Sequence, residues 1–303
     1  DPNNNLSGGF SIQRLALNGH MAGPNAQPAR IGAENVVGRF GGRTGDIALA
    51  LVADRPSIDI EMAAERTLNV ALRRITANAR IADSWRVEGG FEQGALSDPT
   101  LPGSVSTIEG AWTAAPEDGK PMIRIAAAEA VLTANRPASD NERPLFNPLR
   151  LVNVDAVLRD GIVDATGAIL LEAQRRQLAD FTARHVMSDG AGAARVNAAN
   201  LTFNPDLQPY DITERTRGLV EGVTGSADIV GDIVWTRDAI TSTGRVQLNG
   251  VSLATSTIPI VENVTGEIFF DDLFALTTPP GQQVNIGALN PGVEVTNGRV
   301  RFQ

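Results

Sequence analysis

Apolar and polar residues alternate one for one along this chain, in short runs broken by Gly, Asn and Asp, from one end to the other. The clearest run is Thr243-Gly-Arg-Val-Gln-Leu-Asn-Gly-Val-Ser-Leu253, where Val246 and Leu248 fall on one side and Arg245 and Gln247 on the other. Successive side chains of a strand point to opposite faces, so this pattern writes a half-buried strand. The same writing recurs in Gly45-Asp-Ile-Ala-Leu49, Gly266-Glu-Ile-Phe-Phe270 and Arg299-Val-Arg-Phe302. A chain built this way makes an extended sheet with one wet face and one apolar face.

Reading the alternation through gives strands at 10–20, 36–41, 45–52, 57–64, 67–73, 75–82, 84–92, 104–114, 121–134, 150–158, 161–173, 176–187, 191–203, 225–236, 239–248, 250–255, 264–271, 283–289 and 293–302. Many short strands with turn signals between them predict an all-β protein. The best helix candidate is 209–221, with Pro209, Asp211 and Thr213 as start signals. Loops are expected at 21–34, 94–103, 114–121 and 135–149, the last holding three prolines that cannot donate into a ladder. A soft boundary there divides residues 1–140 from 141–303. The halves match in composition, so the expectation is two stretches of one continuous sheet. Gly-x-aliphatic-x-aliphatic openings at Gly45, Gly161, Gly244, Gly266 and Gly298 have no fixed period. That argues against a strict solenoid and for a meander in which each strand pairs with the next.

The 303 residues are enough for a sizeable core. No run of about 18 apolar residues marks a spanning helix, and residues 1–12 carry no signal-peptide pattern. The opening reads as a loop entering a strand and the end as a strand cut mid-course, so the chain is expected to be a fragment of something longer. The formal net charge is -9, and the basic residues are scattered singly. Nucleic acid is therefore not an expected partner, since phosphate neutralisation needs clustered cations. The absence of cysteine removes disulfides, thiol catalysis and Cys-based metal sites. Few aromatics and many Ala, Val, Leu and Ile suit a thin layer or groove better than a thick core.

Nothing in the chain reads as an active site. His20 and His185 lack neighbouring ligands at metal spacing. Asp271 and Asp272 are adjacent, so on a strand they diverge, and they read as a charged strand end or turn. Asp189-Gly-Ala-Gly192 lacks the helix and Lys of a phosphate loop and reads as a hairpin turn. Asn200-Leu-Thr and Asn263-Val-Thr match a glycosylation pattern that chance often produces. No metal and no cofactor is expected, and no enzymatic activity.

Residues 240–302 carry a resemblance. Thr241-Ser-Thr-Gly-Arg-Val246, Ile260-Val-Glu-Asn-Val-Thr-Gly266, Leu276-Thr-Thr-Pro-Pro-Gly-Gln282 and Asn290-Pro-Gly-Val-Glu-Val295 look like the C-terminal part of YdbH-type proteins, within the AsmA/TamB-like group of Gram-negative envelope proteins. Gly192-Ala-Ala-Arg-Val196 through Phe203 and Leu207-Gln-Pro-Tyr-Asp-Ile-Thr213 resemble the same family. The resemblance covers about residue 150 onward; the first half matches in style alone. It implies a long, curved, mostly antiparallel sheet folded into an open hydrophobic groove, a β-taco, with at most one or two short helices. It implies phospholipid carried along that groove between inner and outer membranes. It also implies a periplasmic location, an inner-membrane helix outside this chain, and a small outer-membrane lipoprotein as partner.

The alternation is compatible with such a conduit, because an acyl chain needs a continuous apolar wall without strong polar anchors. Each buried CH₂ contributes about 0.8 kcal/mol. The expected wall includes Ile229, Ile233, Trp235, Val246, Leu248, Ile268, Phe270, Val300 and Phe302, with Asp228, Asp232, Arg245, Gln247, Glu267, Arg299 and Arg301 facing outward. The competing readings are the ordinary core of a sandwich, a β-rich scaffold for outer-membrane biogenesis acting through its sheet edges, and a β-helical carbohydrate enzyme. The last needs converging carboxylates that the sequence does not display.

Overall fold

A computed structural model describes residues 5–20, 28–63, 66–98, 101–135, 142–258, 260–290, 293 and 295–302. The strands of its first half are β1 (Asn5–His20), β2 (Pro28–Arg43), β3 (Asp46–Ala63), β4 (Arg66–Ala71), β5 (Arg74–Ile81), β6 (Trp85–Ser97), β7 (Gly103–Glu117) and β8 (Lys120–Ala134). Those of the second are β9 (Leu149–Arg159), β10 (Ile162–Leu171), β11 (Arg176–Val186), β12 (Ala191–Phe203), β13 (Glu221–Trp235), β14 (Ile240–Ala254), β15 (Val261–Phe270), β16 (Gln282–Leu289) and β17 (Val295–Phe302). All 17 belong to one sheet. Every pairing is antiparallel, and each strand lies beside its sequence neighbours. The one exception is β4 and β5, which share a place in the ribbon: both pair with β3 on one side and β6 on the other. Among the described residues β1 pairs with β2 and β17 with β16, so these two form the ends of the ribbon.

Turn chemistry fixes much of the register. Asp118-Gly119 joins β7 to β8 with φ of 51° and 77°, and Asp160-Gly161 joins β9 to β10 with φ of 52° and 74°. Two consecutive left-handed residues make the tight turn whose twist matches that of the flanking strands, and Asp-Gly is the dipeptide that adopts it most readily. Pairing therefore begins at once, Glu117 opposite Lys120 and Arg159 opposite Ile162.

A second device runs across the strands. Asn35, Arg55, Gln93, Thr107, Asn153, Asn200 and Asn263 hold φ between 46° and 53° inside or beside their strands. They coincide with register shifts. In the first strands these sites stand side by side: Glu34 faces Asp54, Asp54 faces Arg74, and the Arg73 amide donates to the Glu92 carbonyl. Each bulge adds one residue, bends the strand and reverses the phase of the alternation. In β3, Leu51 and Ala53 precede Arg55 and share their face with Ile58 and Ile60 beyond it.

The bulges explain where the expected elements differ from the observed ones. Expected strands 45–52 and 57–64 are one strand, β3, and 239–248 and 250–255 are one strand, β14. The period-two reading breaks wherever a bulge shifts its phase. The loop expected at 21–34 gives way from Pro28 onward to β2, and residues 21–27 lie outside the described residues. The loops expected at 94–103 and 114–121 shrink because β6 runs to Ser97 and β7 to Glu117. Of the 135–149 loop, residues 142–148 are described as non-strand, while 136–141 lie outside the described residues. The helix expected over 209–221 is only α1 (Pro209–Ile212) followed by a 3₁₀ turn, Glu214–Thr216. Gly218 and Gly222, both at positive φ, stop it from lengthening.

Candidate functional site

The expected wall residues stand on one face of the sheet. Ile229, Val246 and Ile268 lie abreast on β13, β14 and β15. Leu248 stands between Ala227 and Gly266, and Phe270 opposite Gly244. Ile233 faces Ala194 and Ser242; Trp235 faces Gly192 and Ile240. On β17, Val300 pairs with Val284 and Phe302 with Gln282. The Trp235 indole lies over Gly192, where a Cβ would come within 2.4 Å of the ring. It stacks on His185 at 6.1 Å and donates to His185 Nδ1 at 3.1 Å. An indole N–H only donates, so this imidazole nitrogen is the unprotonated one.

The residues expected to face outward lie on the opposite face, and neighbouring polar groups engage them. Arg195 grips Asp232 with two bonds of 2.7 and 3.0 Å, and Arg245 reaches Glu267 at 3.0 Å. Asp228 accepts from the Asn200 amide and from Asn249, both at 2.8 Å. Arg299 bonds to Asn285 and Arg301 to Gln283. The Arg195 guanidinium holds the Asp232 carboxyl below the usual carboxylate range, and the Asn200 amide does the same for Asp228. A similar cross-strand pair is Arg184–Asp164, and such pairs continue into the first half with Arg80–Asp46 and Arg74–Asp54. This face carries the charged pairs, with Val37, Val52, Val234 and Phe269 exposed among them, and the other face carries the buried apolar clusters.

That apolar face extends well beyond the nine residues. Through the pairings it continues over Phe181, Ala165, Ala156, Ile125, Trp112, Phe91, Ile75 and Leu49 to Phe40 and Phe10. Its cover differs between the two ends. Toward β1 it is open: Phe10, Ile31, Phe40, Ile81 and Ile125 are all exposed, Ile81 by half. Toward β9–β16 it is closed into a cluster containing Ile169, Leu171, Phe203, Val223, Ala227, Val251, Val264 and Ile286, against which Ile229, Val246, Leu248 and Ile268 pack.

Two loops contribute to the cover, and the sequence reading placed neither of them over the face. The loop between β12 and β13 buries Leu207 completely within the cluster. Gln208, 4% exposed, holds it there: its amide donates to the carbonyls of Asn204 and Val223 and accepts from the Val223 amide. The loop between β15 and β16 folds back over the apolar face. Leu273 lies against Gly231 and Gly244, where added Cβ atoms would meet its methyls at 3.1 and 2.5 Å. Ser242, fully buried on that same face, bonds to Asp272 at 3.0 Å and accepts from the Leu273 amide at 3.0 Å. Burial pushes the Asp272 carboxyl up, but the amides of Ala275 and Phe274 and the Ser242 hydroxyl outweigh it and hold the carboxyl below its usual range. Asp271 and Asp272 are thus turn residues, with Asp271 taking the Thr277 hydroxyl at 2.6 Å. Ser242 and Gly244 were visible as small residues interrupting the stripe Ile240-x-Ser242-x-Gly244-x-Val246.

Among the described residues no group of three or more His, Asp or Glu side chains could hold a metal ion, and no helix is long and apolar enough to cross a membrane. A family model described as YdbH-like, intermembrane phospholipid transport protein YdbH, matches residues 42–303. The match begins about a hundred residues nearer the start than the stretch from about residue 150 onward that the resemblance covered. No curated protein and no solved structure matches the chain.

Proposed function

The chain belongs to the YdbH-like family of intermembrane phospholipid transport proteins, and on that premise we propose that its apolar face is the conduit along which acyl chains travel. The observation that carries this reading is the continuity of the face. It passes through every strand position of a single sheet, with the charged ladder confined to the other side. Strands lie about 4.8 Å apart, so sixteen ribbon positions give a path of roughly 70 Å across the strands. Acyl chains lie on the face and headgroups remain in water. Ile229, Ile233, Trp235, Val246, Leu248, Ile268, Phe270, Val300 and Phe302 line the later part of this path, and residues 1–140 and 141–303 supply one continuous wall.

Two properties of the face favour transit over tight binding. It is wide and apolar, so holding a chain depends on area and not on a fixed pose; each CH₂ contributes about 0.8 kcal/mol. Among the nine wall residues there is no cation to fix a headgroup, and the arginines of the ladder face the other side. We place the chain in the periplasm, anchored at the inner membrane through a segment outside it, with a small outer-membrane lipoprotein as partner. It has no catalytic role. The reading is tested by purifying the chain from cell envelopes without detergent exchange and measuring bound phospholipid by mass spectrometry. Phospholipid retained by the native chain and lost from Leu248→Asp, with the sheet intact by circular dichroism, is the expected result. A folded native chain free of lipid would favour the scaffold reading, in which the sheet edges bind proteins.

A further inference from the structure

We propose that a hydrogen-bonded strap across the apolar face gates the conduit, and that Leu273 is the side chain an acyl chain must displace. This rests on the conduit reading above. The strap joins three loops that arise far apart in the ribbon. From the β8–β9 loop, Arg143 donates to the carbonyls of Glu214 and Arg217 at 2.7 and 2.6 Å. Asn147 donates from its backbone to Ile212 at 2.8 Å and from its side chain to Tyr210 and Asp211. From the β12–β13 loop, Arg215 donates back to the Arg143 carbonyl at 3.2 Å and forward to the Phe274 carbonyl at 2.6 Å. Phe274 belongs to the β15–β16 loop, which Ser242 pins to the apolar face.

Beneath the strap the face is shaped to hold a plug. Gly231 and Gly244 are paired directly opposite each other, one on β13 and one on β14, and the missing side chains leave a dent. Leu273 fills it. The filling is apolar and the pins are few: the Ser242 hydroxyl below and the Arg215 guanidinium above. Leu273 sits over the gap that Gly244 leaves in the stripe between Val246 and Ile240, so a lipid chain occupying Gly231 and Gly244 and Leu273 in place exclude each other. The bonds that hold the strap are polar, and water can replace them when it lifts. The strap can therefore lift without leaving those polar groups unpaired, giving one state with Leu273 in the dent and one with an acyl chain there.

The chain has no cysteine, so an introduced pair contributes its only thiols. The test combines Arg215→Cys and Phe274→Cys with a reducible bismaleimide applied to cell envelopes, in protein carrying a benzophenone amino acid at Val246, beside the dent, or at Leu49, on the open part of the face. With the strap linked shut, phospholipid capture at Val246 should fall several-fold and return on reduction, while capture at Leu49 persists. Independently, Leu273→Ala should raise capture at Val246, by up to roughly ten-fold if emptying the dent is worth as much as one ordinary hydrogen bond. Capture at Val246 that is indifferent to both the link and Leu273→Ala overturns the gate and leaves the conduit standing. Capture absent at both positions in the unlinked protein overturns the conduit reading, and the gate with it.

Discussion

Leu248 is the residue on which the facing of β14 can be tested most simply. It stands between Ala227 and Gly266, packs against the buried cluster, and has Gln247 behind it on the polar face. A carboxylate there would enter the buried apolar cluster, so Leu248→Asp should abolish lipid retention. The cost in stability is expected to be a few kcal/mol, typical of an unpaired charge in a half-buried site. Chemical denaturation and lipid analysis of the same preparation check both. Gln247→Asp, on the wet side, should change neither by much. Asp272 gives a prediction in pH. Its folded carboxyl lies below the ordinary value of 3.8, so its pinning of the β15–β16 loop is fully present above that value. It is lost as pH falls through the lower folded value. Hydrogen exchange at the Leu273, Phe274 and Ala275 amides, corrected for intrinsic rates, should show protection at neutral pH that disappears in acid. Asp272→Ala should lack that protection at every pH. These residue roles were only partly legible in the sequence. The period of two fixes which side of β14 Leu248 occupies, but Ser242 gives no sign that it holds a loop arriving from thirty residues away.

At the scale of elements, turns and bulges carry the argument. Gly161 sits at φ 74° in a two-residue turn that sets the pairing of β9 with β10. Gly161→Val should lower the unfolding free energy by about 1–2 kcal/mol, the cost of placing a side chain in the left-handed region. Urea denaturation measures it. Asp-Gly turns are local, so their hairpins could be read from the sequence. Bulges are only half local. Asn35, Asn153, Asn200 and Asn263 are residues that tolerate the left-handed region, but Arg55, Gln93 and Thr107 are not the types that announce it. The strands therefore appeared shorter than they are. Similarly, Pro209 and Asp211 correctly marked a helix start, and Gly218, at positive φ, was a stop signal inside the expected span, while the bonds that Arg143 and Asn147 make to this loop have no local signature.

The described strands form one ribbon, a single antiparallel sheet in which each place is filled by the next strand along the chain. Its apolar face is covered by its own loops at one end and lies open at the other. An ordinary sandwich would close that face with another sheet. An exposed face of this extent is what a protein presents when it has something to bind. The outer ladder adds little to stability, since exposed ion pairs are typically worth about 0–1 kcal/mol each, but it makes that side the wet one, and the proposed conduit lies on the other. The meander and the two-sided character of the sheet were legible from end to end, because both follow from nearest-neighbour pairing and a period of two. The loops that fold over the face were not, because their contacts join residues far apart in the chain.

The central claim is that acyl chains contact one face of this sheet and not the other, and site-specific photocrosslinking in living cells tests it most directly. A benzophenone amino acid is placed at Leu49, Ile125, Val246 and Leu248 on the apolar face and at Ala48, Arg124, Arg245 and Gln247 beside them on the polar face. Phospholipid captured by the first four and not by the second four is the predicted result. Equal capture on both faces, or none on either from folded protein, would contradict the account.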